Sequence, residues 1–328
     1  MKHILKGAIC LMLGGLLGSS AVAQSDYPNK PIRLLVPFGA GGGTDLAARA
    51  IADKVGQQMG QKMLVDNKPG ANSNIGSAMV AQAPADGYTV LYNTSAVILN
   101  SFLMRNVPFD VFRDFAPVSL TAAIPELLVV PTSMPVTNLA QTIEYMRTNG
   151  KKLNYASVGI GNITHLSMLL FLGASKMDIN HLEHVPYNGG TGTIVPDIIE
   201  GRTHFYFSSV TFALPFIKSN RMRAVAVTSL TRSDRLPDIP TMSESGLPGF
   251  EVIIWQGTLV PAKTPPAIVS RLNGEIQKAL KAPDLVSHFG TLGLIPLGSS
   301  TKEYADYLKK EADRWGRVIR EAKIPSSD

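Results

Sequence analysis

The tightest constraint on this chain is the passage from an apolar run, Pro31 to Val36, through Pro37-Phe38-Gly39-Ala40-Gly41-Gly42-Gly43-Thr44-Asp45 into a helical pattern. Asp45 to Met59 carries Leu46, Ala50, Val55 and Met59 near one stripe, as an amphipathic helix does. Glycines let the backbone take positive φ and approach a ligand closely. The helix start then presents unsatisfied N–H groups and the positive end of its dipole. The bend predicts an anion cradle on Phe38, Gly39, Ala40, Gly41 and Gly42. A tight turn without a ligand explains the same glycines equally well. Thr44 and Asp45 fit helix capping better than ligand contact, because a carboxylate beside an anion repels it.

Short β-branched runs alternate with helical patterns along the rest of the chain, which predicts an α/β architecture with mostly parallel strands. Lys62 to Val65 reads as a strand, Pro69-Gly70-Ala71-Asn72 as a loop and Asn74 to Gln82 as a short helix. Tyr88 to Tyr92 reads as a strand ending at Asn93-Thr94-Ser95, and small polar groups at a strand's carboxyl end suit ligand binding. A proline-punctuated passage, Thr121 to Pro125, marks a crossing into a second lobe that opens with Leu127 to Val130. There the opening arrangement repeats. A strand at Asn154 to Ser157 meets the bend Val158-Gly159-Ile160-Gly161-Asn162-Ile163-Thr164, and a helix follows from His165. Further strands fall at His184 to Tyr187, His204 to Ser208 and Arg223 to Thr228. Gly246-Leu247-Pro248-Gly249 reads as a second crossing, after which the C-terminal helices, including Tyr304 to Arg320, return to the first lobe.

The first residues read as an export signal. Lys2 and Lys6 form a basic start, Ile9 to Leu17 an apolar centre and Ala21-Val22-Ala23 a cleavage site, so the mature chain starts at Gln24. Cys10, the single cysteine, lies inside the apolar centre after bulky Ile9, which argues against a lipoprotein. The mature protein is then thiol-free in an oxidising compartment, and disulfides and cysteine metal sites are excluded. About 300 residues remain, long for a single core, and two lobes are expected. No stretch after Gln24 approaches the roughly 20 apolar residues of a membrane helix. The formal charge of +6 includes Lys2 and Lys6, and the other basic residues are scattered, which is poor support for nucleic-acid binding.

In order along the mature chain come Tyr27-Pro28-Asn29-Lys30-Pro31-Ile32-Arg33, the Val36 to Asp45 bend with Arg49, Asn67-Lys68-Pro69-Gly70 and Asp86-Gly87-Tyr88-Thr89. Later come Val185-Pro186-Tyr187-Asn188-Gly189-Gly190, Leu236-Pro237-Asp238-Ile239-Pro240-Thr241, Glu244-Ser245-Gly246-Leu247-Pro248-Gly249 and Pro265-Pro266. In these stretches the chain resembles the periplasmic solute-binding receptors of tripartite tricarboxylate transporters, the Bug family. The resemblance implies a two-lobed type II periplasmic-binding-protein fold with two hinge crossings and a ligand cleft between the lobes. With residues 1–23 as the signal, one lobe takes 24–124 and 247–328 and the other 125–246. The implied activity is capture of a small carboxylate without catalysis, metal or cofactor. The implied receptor is a monomer that delivers its load to a two-component membrane carrier.

Physical reasoning places backbone donors around Phe38 to Gly42 on one lobe, and around Gly159 to Thr164 and Gly189 to Thr191 on the other, converging across the cleft. Charge-assisted hydrogen bonds are worth roughly 1.5 to 3 kcal/mol each, and micromolar affinity needs about 8 kcal/mol. A handful is enough. A carboxylate held from both lobes favours the closed state, which membrane subunits can distinguish from the empty one. Ser95, Asn162 and Asn188 are the favoured side-chain contacts, with Thr94, Gly159, Gly161, Thr164, His165, Tyr187, Gly189, Ser208 and Ser209 completing the candidate site. Duller readings stand beside these. Thr164 serves equally as an N-cap, His165 as a structural hydrogen-bonding group, and Phe38, Tyr187, Phe207 and Trp255 as core aromatics. His181 and His184 fall on opposite faces of a strand and cannot share an ion.

Two departures from the family pattern bear on the ligand. Asn72-Ser73-Asn74 stands where many members have glycines, and Ser208-Ser209 where an acid commonly ends the strand beside the cleft. Without that acid an ammonium group loses its partner, and a second carboxylate fits. With Phe38 and Phe207 as walls, the expected ligand is a dicarboxylate with a flat or apolar middle, such as terephthalate; aliphatic diacids and citrate-like acids stay open. The competing class is an exported α/β hydrolase acting on a small carboxylate ester, with Ala40 to Gly43 as oxyanion hole. No G-x-S-x-G elbow occurs to support it. A G-x-G-x-x-G fingerprint fails at Thr44, and no Gly-Lys pair makes a P-loop.

Overall fold

The computed structural model describes residues 27–187 and 191–326. The export-signal reading, and the candidates Asn188 and Gly189, lie outside the described residues. Leu34, Leu35 and Val36 are inaccessible on both faces of β1 (Ile32–Val36), which sits between two parallel neighbours as a continuous apolar run should. The chain continues through α1 (Gly43–Met59), β2 (Met63–Asn67), α2 (Asn74–Ala81), β3 (Thr89–Thr94), α3 (Ala96–Leu103) and α4 (Val111–Asp114). Next come β4 (Phe115–Pro131), α5 (Leu139–Asn149), β5 (Asn154–Ser157), α6 (Ile163–Ala174), β6 (Glu183–Pro186), α7 (Thr191–Ile199) and β7 (Phe205–Ser209). The last elements are α8 (Val210–Lys218), β8 (Met222–Val227), β9 (Ile253–Pro261), α9 (Pro266–Leu280), α10 (Pro283–Leu292), β10 (Ile295–Pro296) and α11 (Thr301–Glu321).

The strand order is β2-β1-β3-β9-β4-β7-β5-β6, with β8 and β10 also pairing β4. Pairing is parallel among β2, β1 and β3, and again among β6, β5 and β7; β9 and β4 join the two groups antiparallel. The crossing predicted as a proline-punctuated linker is a single strand. β4 pairs β9 from Phe115 to Pro125, and from Glu126 onward it pairs β7 and β8. Pro117 and Pro125 are accommodated because β4 shifts register twice along β9 and changes partners after Pro125.

One core gathers Leu34, Val36, Ile51, Val90, Leu272 and Phe289 between the first parallel strands, α1, α9 and α10. Another gathers Leu128, Tyr155, Leu166, Phe171 and Phe207 under α5 and α6. The sequence assigned the last helix to the first lobe, but α11 spans both groups. Its buried stripe Tyr304, Leu308, Glu311, Trp315 and Ile319 recurs at helical spacing. Tyr304 and Leu308 pack with Leu91 and Trp255, whereas Trp315 and Ile319 pack with the α6 core. A capping box between Ser300 and Glu303 starts this helix.

Candidate functional site

The first bend follows β1 as the glycines predict. Gly39 to Gly43 are exposed, Gly41 takes φ +82°, and α1 begins with Gly42 as its extended N-cap and no side-chain capping bond. The first turn of α1 therefore ends in open N–H groups, the arrangement that favours an anion. Asp45 is not a cap. Its carboxylate reaches back to the Gly41 N–H at 2.8 Å and also accepts from Arg49 at 2.9 Å and Asn67 at 2.8 Å. Burial works against the Asp45 charge, but the bonds from Arg49, Gly41 and Asn67 outweigh it and hold the carboxyl below its ordinary range. Asn67 also donates to the Phe38 carbonyl at 3.1 Å, which braces the bend at both ends. The Gly41 N–H is thus engaged. Phe38 is half-buried beside the first core.

At the end of β3, Thr94 and Ser95 are buried. Thr94 Oγ1 accepts from Ala96 N at 3.2 Å, Ser95 N donates to the Trp255 carbonyl at 3.2 Å, and the Ser95 hydroxyl makes no capping bond to α3. The loop before α2 explains how this chain does without glycines there. Ala71, Asn72 and Ser73 all take positive φ, at 44°, 48° and 80°. Asn100 Nδ2 donates to the Asn72 carbonyl at 2.6 Å and to Asn74 Oδ1 at 2.8 Å, and Asn72 Nδ2 returns a bond to Asn100 Oδ1 at 2.6 Å. Side-chain amides hold a conformation that glycine would adopt unaided.

The second bend differs from the first. Gly159 N donates to Ser157 Oγ at 3.1 Å, Gly161 N to His165 Nδ1 at 3.0 Å, Asn162 N to the Gly159 carbonyl at 3.2 Å and Thr164 N to Asn162 Oδ1 at 3.1 Å. Asn162 is the N-cap of α6. Four donors expected at a ligand are therefore engaged within the bend, because its own polar side chains fold back over the helix start. His165 and His184 stack with ring centroids 4.0 Å apart and 3° between planes, and Tyr155 stacks on His184 at 4.8 Å. His184 Nε2 lies 2.7 Å from Ser157 Oγ. That contact has the spacing of a serine–histidine pair, but Ser157 is fully buried and its hydroxyl also contacts the Gly159 carbonyl at 3.0 Å.

Other candidates have hydrogen-bond partners within their own group of elements. The Tyr187 hydroxyl donates to Asp197 at 2.5 Å and lies 3.1 Å from Thr203, so it is tied down within its own group of elements. Ser209 accepts from Phe212 N at 3.4 Å as the N-cap of α8, and the hydroxyl of buried Ser208 donates to the Ser209 carbonyl at 3.4 Å. Phe207 and Trp255 are fully buried. Phe207 packs edge-on against Phe171, and Trp255 Nε1 donates to Glu311 at 3.0 Å. Neither is a cleft wall.

Sequence reasoning missed Glu126, whose signal was a lone acid between Pro125 and the apolar run Leu127 to Val130. Glu126 is the first residue of β4 to pair β7, directly opposite Ser209, and it is fully buried. Its backbone is tied to Thr228, whose Oγ1 accepts from Glu126 N at 2.9 Å. Burial, opposed only by a bond to Ser167, pushes its carboxyl up to about 8. Among the described residues no cluster of three or more His, Cys, Asp and Glu side chains could hold a metal ion, and no helix is long and apolar enough to cross a membrane.

The family described as "Tripartite tricarboxylate transporter family receptor" matches residues 47–324. The chain is similar to "UPF0065 protein in tcbD-tcbE intergenic region" of Pseudomonas sp. (strain P51), at 40% identity over 299 residues, covering 91% of this chain and 88% of that one. Among solved structures it is similar to "R. palustris Rpa4515 with adipate", with TM-score 0.76 and 33% identity over 92% of this chain and 100% of that one. It is also similar to "Structure of periplasmic binding protein BugD", with TM-score 0.73 and 31% identity over the same shares. The fold is the two-lobed α/β fold of periplasmic solute-binding proteins.

Proposed function

The chain belongs to the tripartite tricarboxylate transporter family receptors, and from that premise we propose that it captures a small dicarboxylate with an apolar middle and hands it to a two-component membrane carrier. It is a binding protein of a transport system and not an enzyme. The observation that carries the ligand class is the open start of α1, exposed beside Gly39 to Gly43 and braced by Asp45 so that its N–H groups are presented without rearrangement. The engaged donors of the second bend support a first carboxylate seated mainly on the α1 side. Burial of Phe207 removes one of the two walls that favoured a flat aromatic middle, and adipate in a relative of 33% identity supports an aliphatic one. The change of β4 partners at Pro125 and Glu126 supports lobes of 24–124 with 247–328 and of 125–246, with α11 packing on both. Export by residues 1–23 completes the reading.

The test is a thermal-shift screen of the chain from Gln24 against adipate, malate, citrate, terephthalate and benzoate, followed by calorimetry. Ligand binding to the folded state raises its apparent stability. The largest shift is expected for adipate, with recovery of the acid unchanged. A larger shift for terephthalate would restore the aromatic reading, and silence across the panel would overturn the carboxylate reading.

A further inference from the structure

Strand alternation places Glu126 on the side of β4 that carries Leu128 and Val130, facing α6, at the end of the sheet where β5 runs into the second bend and β7 into α8. The hydroxyl of Ser167 on α6 contacts both Glu126 Oε2 and the carbonyl of Ile163, the latter at 2.7 Å. A serine hydroxyl has one proton to donate. That proton is shared between Glu126 Oε2 and the Ile163 carbonyl, so Ser167 gives a carboxylate at Glu126 at most one shared hydrogen bond. Among the described residues Glu126 Oε1 is buried with no partner, which a neutral acid tolerates far better than a carboxylate.

The ionisable groups on the surrounding elements supply no counter-charge. Tyr206 on β7 donates to Thr191, His165 on α6 accepts from Gly161, and Arg223 on β8 donates to the carbonyls of Thr132, Met134 and Val136. On α11, Arg314 donates to the Glu251 carbonyl and Glu311 accepts from both indoles. Only burial and Ser167 act on Glu126 itself.

Resting on the receptor reading above, we propose that Glu126 is a positioning and specificity residue that holds a proton, and that the cleft takes its anionic ligand only while that proton is in place. An ionised Glu126, paired opposite Ser209 and without a counter-charge, would repel a carboxylate seated at that strand end. Binding is therefore linked to one proton, and affinity falls about tenfold per pH unit once the acid titrates.

Two measurements on the chain from Gln24 test this. In ligand-free protein carrying ¹³C-carboxyl glutamate, one resonance should remain protonated at about pH 7 and be absent from Glu126→Gln; a wild-type spectrum in which every glutamate titrates near the ordinary glutamate value of about 4.3 would overturn the proposal. Calorimetry with adipate should show affinity falling about fivefold between pH 8 and 9 in wild type and no such fall in E126Q. Binding that is flat with pH in wild type overturns this inference and leaves the receptor reading standing. Failure of adipate, malate, citrate, terephthalate and benzoate all to bind at about pH 6 overturns the receptor reading and this inference together. The wild-type arms do not depend on the variant folding.

Discussion

The backbone N–H of Gly41 donates to the Asp45 carboxylate at 2.8 Å, so the first bend is held by a residue of the helix it introduces. Asp45→Ala strands the Gly41 donor and leaves Asn67 and Arg49 one acceptor short, and losing a buried charged acceptor costs about 1–3 kcal/mol. Adipate affinity should drop by at least tenfold, because the bend no longer presents the start of α1. Calorimetry and urea unfolding on D45A separate the two effects. Unchanged affinity in a folded variant would show that the bend needs no brace.

Gly161 takes φ +76°, and a Cβ there would lie 2.7 Å from Leu103 Cδ2 at the end of α3. Gly161→Ala should cost about 1–2 kcal/mol from the left-handed backbone alone, plus a steric part that Leu103→Ala relieves. Urea unfolding of wild type, both single variants and the double variant should therefore be non-additive. Strict additivity would mean that the two residues do not meet in solution.

The stacked imidazoles make stability depend on acid. Burial, with help from His184, holds His165 down to about 3, and burial holds His184 down to about 4. An unfolded histidine titrates near about 6.5, so between about pH 6.5 and pH 4 the unfolded chain binds more protons. The contribution is complete above that window and is lost as pH falls through it. Glu126 acts in the opposite sense, its contribution being lost as pH rises from about 4.5 toward 8. The difference between wild type and His184→Gln cancels that background. Thermal melts should show the wild-type advantage shrinking from about pH 7 to pH 4.5, and a constant gap would contradict a neutral pair.

Glu311 Oε2 accepts from Trp255 Nε1 at 3.0 Å and Trp315 Nε1 at 2.8 Å, which joins β9 to α11 through the chain's two tryptophans. Glu311→Ala leaves two buried donors unpaired, at roughly 3 kcal/mol in total. Tryptophan emission should change in the folded variant, and urea unfolding should show the loss of stability. An unchanged emission spectrum would argue that the indoles are not bonded to this carboxylate.

Much of the fold was legible along the chain because its signals are local. The glycine bend before α1, the apolar run of β1, the repeat of that unit at β5 and α6, and the helical stripe of α11 each depend on residues within a few positions of one another. The family stretches added the two-lobed arrangement. β4 was misread at Thr121 to Pro125 because prolines signal a linker unless a neighbouring strand shifts register or changes to receive them, and no local pattern reports what the neighbour does.

What only the tertiary structure decided is where the polar groups find partners. Ser157 meets His184 27 positions away, and Glu126 meets Thr228 at a separation of 102. Such bonds determine that the second bend engages its own donors while the start of α1 stays open, that Asp45 braces a loop, that Phe207 belongs to a core, and that a buried acid stands at the crossing of β4. Sequence alone determined the elements and the class of site, since helix, strand and turn follow from nearest neighbours. Availability for a ligand follows from burial and hydrogen-bond accounting over the whole molecule, which depend on contacts between residues far apart in the chain.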